Sequence, residues 1–215
     1  MDLVIQSLPF VTKGLAITLQ VSALVVLLSL LAGVLLGVAL TYGPWPVRLL
    51  VRAYSDIIRG IPVLILIFAV YYGLPALEVN LSNLTAAVAA LTMFTTAQVI
   101  ETTRGAIQSI HHGQMEAGKA IGLGFGQRML YVIFPQAMRR FLPPWINSVT
   151  DAVKGSALVS LVGVVDLMLA IQQVIGRVYE PMPLYLLGAA IYFSINYSLS
   201  SLSRRLEQRF AYVRE

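Results

Sequence analysis

GQMEAGKAIGLGFG, residues 113–126, follows the phosphate-cradling pattern G-x-x-x-x-G-K-[ST] through Gly113, Gly118 and Lys119, and fails at the last position, where Ala120 lacks a hydroxyl. A phosphate loop follows a strand and opens a helix. Whether these residues hold a nucleotide therefore depends on the chain to either side.

Those surroundings are apolar. Of 215 residues, 58% are hydrophobic and 12% charged, with a mean hydropathy of +0.79. Soluble chains carry about 25% charged residues, so lipid is the solvent for much of this one. The runs 14–40, 60–77, 84–104 and 183–203 each approach the ~20 residues that cross a hydrocarbon core as a helix. A further run, 142–170, contains Asn147, Asp151, Lys154 and Asp166 and reads as a broken span. The expectation is an all-α integral membrane protein, residues 1–215 forming one transmembrane domain of five helices. The first run is too long, and its flanks are wrong, for a cleaved signal peptide. With no cysteine, disulfides and thiolate chemistry are excluded. His111 and His112 are neighbours that do not face a common ligand, so no metal site is expected.

Positive charge is unevenly placed. Arg48, Arg52 and Arg59 lie between spans one and two; Arg104, Lys119, Arg128, Arg139 and Arg140 between three and four; Arg204, Arg205, Arg209 and Arg214 after span five. The other side has Lys13 and Arg177, while Lys154 falls inside a span. The positive-inside rule then places the N-terminus outside, the C-terminus in the cytoplasm, and a cytoplasmic segment at about 111–140 between spans three and four.

No strand precedes Gly113. The stretch from Leu84 to Ile110 reads as one continuous helix on which Glu101 and Arg104 can pair, with His111-His112-Gly113 as its stop. Gln114 to Ile121 then reads as a short exposed helix, broken by Gly122, Gly124 and Gly126. With neither strand nor hydroxyl, nucleotide binding by this segment is not expected.

Glu116-Ala117-Gly118, then Gly122, then Ile133-Phe134-Pro135 resemble the EAA loop of bacterial ABC importer permeases: Glu-Ala-Ala, a glycine four positions on, and a hydrophobic-Leu-Pro ending. Gly118 stands for the second alanine and Phe134 for the leucine. The residues 54–62 (YSDIIRGIP), 71–75 (YYGLP), 101–110 (ETTRGAIQSI) with Gly113-Gln114, 134–137 (FPQA), and Leu142-Pro143-Pro144 with Asn147 are similar to the polar amino-acid branch of that family. The resemblance implies that the loop inserts into a separate ATP-hydrolysing subunit, with Gln114, Met115, Glu116, Ala117, Gly118, Ile121 and Gly122 as the coupling residues. Physically, Met115 and Ile121 can enter a partner's groove while Glu116 and Lys119 stay at its rim.

Ionisable groups at bilayer depth mark a pathway or a paired structural site. Lys154 lies ten residues after Pro144, roughly 15 Å along a helix and near mid-membrane, and Asp151 can pair with it across one face. Two readings stand. The pair, alone or with Asp166 or a neighbouring subunit, holds helices together; or Lys154 lines a polar cavity and binds a substrate carboxylate, with Gly155-Ser156 opening the backbone beside it. Lys154-Gly155-Ser156-Ala157-Leu158 resembles the family's Lys-Asp-Thr-Ser-Leu segment beside the substrate path, which favours the second. The missing acid at Gly155 argues against a strictly cationic substrate. Thr95, Thr96 and Gln98 form a polar cluster in span three; Gln98 stands where the family usually has tyrosine and is a candidate specificity residue.

Together these imply a non-catalytic permease in the bacterial inner membrane. Its expected partners are two ATPase subunits that bind ATP and magnesium, a second permease (identical or paralogous), an extracytoplasmic solute-binding protein, an amino-acid substrate and membrane lipid. Neither a cofactor of its own nor a nucleic acid is expected. An ion-coupled secondary transporter or channel using Asp151 and Lys154, and a non-transporting scaffold, are the alternatives; neither accounts for an EAA-like loop.

Overall fold

A computed structural model describes residues 2–211, and all regular structure among them is helical. In order these are α1 (Asp2–Tyr42), α2 (Trp45–Gly60), α3 (Val63–Gly73) with a 3-10 turn Leu74–Leu77, α4 (Asn83–Gln108), α5 (His112–Ala120) and α6 (Phe125–Arg128). A π-helical turn, Met129–Ile133, leads into α7 (Phe134–Gly155); a 3-10 segment, Ser156–Val162, then precedes α8 (Leu167–Val178) and α9 (Pro181–Ala211). Arg214, one of the expected cytoplasmic charges, lies outside the described residues.

The breaks have local causes. A residue before proline is driven out of the helical region, and α1 and α2 part at Gly43-Pro44, α2 and α3 at Ile61-Pro62. Gly163, at φ +80°, ends the 3-10 segment in a conformation that favours glycine.

Among the described residues two helices, α1 and α4, are long and apolar enough to cross a membrane alone. Two bent pairs would raise the number to four: α2 with α3, bent by 104°, and the α7 stretch with α8, bent by 51°. The five crossings expected from the sequence thus resolve into fewer uninterrupted ones. Within 60–77 the helix is short, and within 142–170 it is interrupted by Ser156–Val162. The fifth, α9, is long enough, but Tyr185, Tyr192, Tyr197, Asn196 and its serines dilute its apolar run.

α1 and α4 form the spine, and closeness is built in. A Cβ on Gly33 would sit 2.5 Å from Val99 Cβ, and one on Gly37 would sit 2.5 Å from Thr103 Cβ. Small residues spaced by four let backbones approach and gain dispersion contact, the packing used between helices in lipid. Gly14 does the same against α8, 2.7 Å from Ala170 Cβ. Around α4 gather Val21 and Val25 of α1, Ile58 of α2, Leu66 and Ile67 of α3, and Ala152 of α7.

Buried polar groups are tied off. Asp166, fully buried, caps α8 by accepting from the Leu169 N–H at 3.0 Å and the Tyr192 hydroxyl at 3.4 Å, while Thr18 accepts the Leu167 N–H at 3.0 Å. Asp166 is thereby committed to α8 and is no partner of Lys154. Tyr54 donates to the Met93 carbonyl at 2.8 Å and fastens α2 to α4.

Gly33→Leu forces a side chain into Val99, and overpacking costs about 1–3 kcal/mol. It should lower the unfolding temperature of the purified protein clearly, whereas Gly176→Ala, with nothing within 4 Å of the new Cβ, should leave it unchanged or raise it.

Candidate functional site

The 113–126 stretch is a capped helix followed by a glycine turn. α4 ends at Gln108, and His111 caps α5, its Nδ1 accepting the Gly113 N–H at 3.1 Å. The expected stop at His111–Gly113 is therefore a start: Gly113 lies in the first turn of α5 because the histidine ring satisfies a free N-terminal donor. At the other end Leu123 donates to the Gly118 carbonyl and Gly122 to that of Lys119, both at 3.0 Å, with Gly122 at φ +84°. That is the paired-bond glycine cap that closes helices, and it explains why a glycine is needed at 122.

The coupling candidates separate into outward and inward sets. Gln114, Glu116, Ala117, Lys119 and Gly122 are exposed, and Ile121 is 76% exposed. Met115 instead turns inward onto Ile107, Ile110, Ile133 and Ala137, and Gly118 is buried. An amphipathic nine-residue helix resting on membrane-spanning neighbours must spend one face on them, and Met115 is on that face. Neither Glu116 nor Lys119 forms an ion pair among the described residues.

α5 and the turns that flank it are held from several sides. Gln136 of α7 donates to Gln114 at 3.4 Å and to the Val132 carbonyl at 2.7 Å. Arg128 donates to the Met115 carbonyl at 3.5 Å. Phe125 meets Tyr42, at the end of α1, edge to face at 5.4 Å, and Arg140 reaches the Ser109 carbonyl beyond α4.

α7 carries the second group. Arg140, Pro144, Asn147, Asp151 and Lys154 are exposed and recur every three or four residues, one stripe of the helix. Lys154 Nζ lies 2.8 Å from Asp151 Oδ1, with the two side chains 57% and 55% exposed. Another flank of α7 is apolar: Phe134, Met138 and Trp145 face Leu31 and Leu35 of α1 across a groove of about 520 Å³. Ser156 is fully buried and donates to the Val153 carbonyl at 2.8 Å, so its hydroxyl is turned away from the stripe.

On α4 the structure divides the expected trio. Thr95 and Thr96 are buried, whereas Gln98 is only half-buried. Gln98 lies with Phe94, Thr102 and Gly105 on a strip that neighbouring helices leave partly uncovered. Thr102, which donates to the Gln98 carbonyl at 3.0 Å, was missed in the sequence although its four-residue spacing from Gln98 points to it. At the lower end of this helix Glu101 pairs with Arg104 at 2.6 Å, as the spacing indicates, and takes a bond from Ser55 at 3.4 Å.

Similarity to known proteins agrees with this geometry. Residues 29–212 match the family described as binding-protein-dependent transport system inner membrane component. The chain is 34% identical over 208 residues to the probable glutamine ABC transporter permease protein of Bacillus subtilis (strain 168), covering 95% of each. It is 34% identical over 205 residues to the glutamine transport system permease protein of Escherichia coli (strain K12), covering 94% of each. A crystal structure of an amino acid ABC transporter with histidines superposes with a TM-score of 0.88 at 32% identity, covering 96% of both chains.

The chain has no cysteine, so single introduced thiols report exposure cleanly. In detergent, Ile121→Cys should react rapidly with a water-soluble maleimide and Ser156→Cys far more slowly; equal rates would contradict the orientations described.

Proposed function

The chain belongs to the family of binding-protein-dependent transport system inner membrane components, and from this we propose that it is one of two permeases that jointly enclose a path for a polar amino acid. The observation that carries the reading is the Asp151–Lys154 pair, half-exposed on a chain that also exposes many large apolar side chains on its long helices. Turned toward hydrocarbon, each ion would cost at least about 2.5–3.5 kcal/mol. Covered by a second permease across a water-filled path, the same stripe is solvated. The partner is a second copy or a paralogue.

α1, α3 with its 3-10 turn, α4, α7 and α9 make the five crossings in this reading, with the N-terminus outside and α2 and α5 on the cytoplasmic side. Each α5 docks on one ATPase subunit, which holds ATP and magnesium; Glu116, Lys119 and Ile121 form the contact. The chain itself performs no chemistry. A solute-binding protein delivers substrate from the extracytoplasmic side, as the family's description implies.

Lys154 receives the substrate carboxylate. An ammonium has three donors, so the bond to Asp151 leaves two for a ligand. Gln98 and Thr102 supply neutral polar contacts. Gly155 makes the chemistry selective: a Cβ there would lie 3.7 Å from Leu91 Cδ2, ordinary contact, so packing does not exclude an acid at this position. Its absence favours a neutral side chain over a cationic one. That the two relatives described above are named as glutamine permeases supports the same choice.

In a reconstituted complex with ATPase and solute-binding protein, Lys154→Ala should lower uptake about tenfold or more, given the roughly 1.5–3 kcal/mol of a charge-assisted hydrogen bond. Glu116→Arg should leave ATP hydrolysis running while uptake falls. Competition among acidic, neutral and basic amino acids should favour neutral ones, and Gly155→Asp should move the preference toward arginine. Uptake driven by an ion gradient without the ATPase would restore the ion-coupled alternative and sink this one.

A further inference from the structure

Gly118 departs from the Glu-Ala-Ala pattern, and its surroundings give the reason. It sits inside α5 and does not need a left-handed backbone, which among the described glycines occurs at Gly122 and Gly163. Glycine is a poorer helix former than alanine, so the missing Cβ must serve something else. A Cβ built there would fall 2.9 Å from Arg128 Cγ and 3.2 Å from its Cδ, against roughly 3.5–4.0 Å for carbons in contact. The clash involves the inner stem of the arginine rather than its mobile tip, and because Arg128 Cβ stays at an ordinary 3.8 Å, relieving it takes a χ1 change that lifts the whole stem off α5.

Arg128 is the last residue of α6, immediately before the π-helical turn that leads into α7. Its stem crosses α5 at Gly118, its Nη1 donates to the Met115 carbonyl at 3.5 Å, and its Nε is buried with no partner among the described residues. A guanidinium held this way is directed at α5 rather than at an outside ligand.

We propose that Gly118 and Arg128 are a notch and its key: the stem of Arg128, lying in the gap left by the absent Cβ, sets the angle of α5 on the π-helical turn. The helix that meets the ATPase and the start of the helix that carries Lys154 then move as one body. Arg128 is a positioning residue for coupling, and this rests on the coupling role proposed above for α5.

The test measures substrate moved per ATP hydrolysed, together with assembly of the full complex, for Gly118→Ala, Arg128→Ala, the double variant and Arg128→Met. Gly118→Ala should lower the ratio by about fivefold or more, the lower end of typical coupling between sites, with the complex still assembled. In the Arg128→Ala background the same change should be harmless, because the stem it strikes is gone. Arg128→Met, which retains the stem, should keep most of the coupling that Arg128→Ala loses. If Gly118→Ala does not assemble, recovery of assembly by Arg128→Ala supports the notch and its failure overturns it. An equal penalty for Gly118→Ala in both backgrounds, or none in either, also overturns it. A wild-type chain that moves substrate without the ATPase subunits overturns the coupling reading and the notch together, whereas tight wild-type coupling with additive variants overturns the notch alone.

Discussion

An ion pair cannot be left facing hydrocarbon, and much of this molecule follows from where Asp151 and Lys154 sit. Their 2.8 Å contact neutralises both charges, yet both remain more than half exposed on the isolated chain. Pairing alone reduces the cost of such a site but does not remove the desolvation of two ions. Water or further protein must cover the stripe that runs from Arg140 through Asn147 to Lys154. The apolar groove on another flank of the same helix, lined by Leu31, Met138 and Trp145, has the surface that lipid wets. One helix thus divides an apolar side from a side that lipid would not tolerate.

The same helix joins the two functional regions. α7 spans 22 residues, roughly 33 Å at 1.5 Å per residue. Its first turn is held by Gln136 to α5, and its last carries Lys154. Pro143 and Pro144 interrupt its hydrogen-bond ladder, and the π-helical turn Met129–Ile133 precedes it; both are places where helices bend. The frame behind it is stiffer, because Gly33 and Gly37 bring α1 into backbone contact with α4 and Asp166 fastens α8 beneath Tyr192. In the proposed coupling, a displacement at α5 has a rigid wall to work against and a jointed helix to travel along.

Much of this was legible in the residues. Helical character, the Glu101–Arg104 pair and the Asp151–Lys154 pair each follow from composition or from three-residue spacing, since these are local properties. Side-chain direction was less legible. Met115 and Ile121 looked equivalent on an isolated helix, and only the placement of Ile107, Ile110 and Ile133 turns the first inward. Thr95, Thr96 and Gln98 read as one polar cluster until the packed bundle buries two of them. Gly113 looked like a helix stop because glycine usually marks one, and a histidine ring capping the next helix reversed that. The spacing of Gly33 and Gly37 was visible as sequence, but which helix they meet depends on the whole bundle.

The central claim is that the α7 stripe faces water and a second permease rather than lipid. A spin label at Asn147→Cys in the full complex in a bilayer reports this directly through its collision rates with a water-soluble nickel chelate and with oxygen, which concentrates in lipid. High access to the chelate, with a label at Leu35→Cys on the groove showing the reverse, is the expected result. Lipid-like oxygen access at position 147, indistinguishable from that at 35, would contradict it.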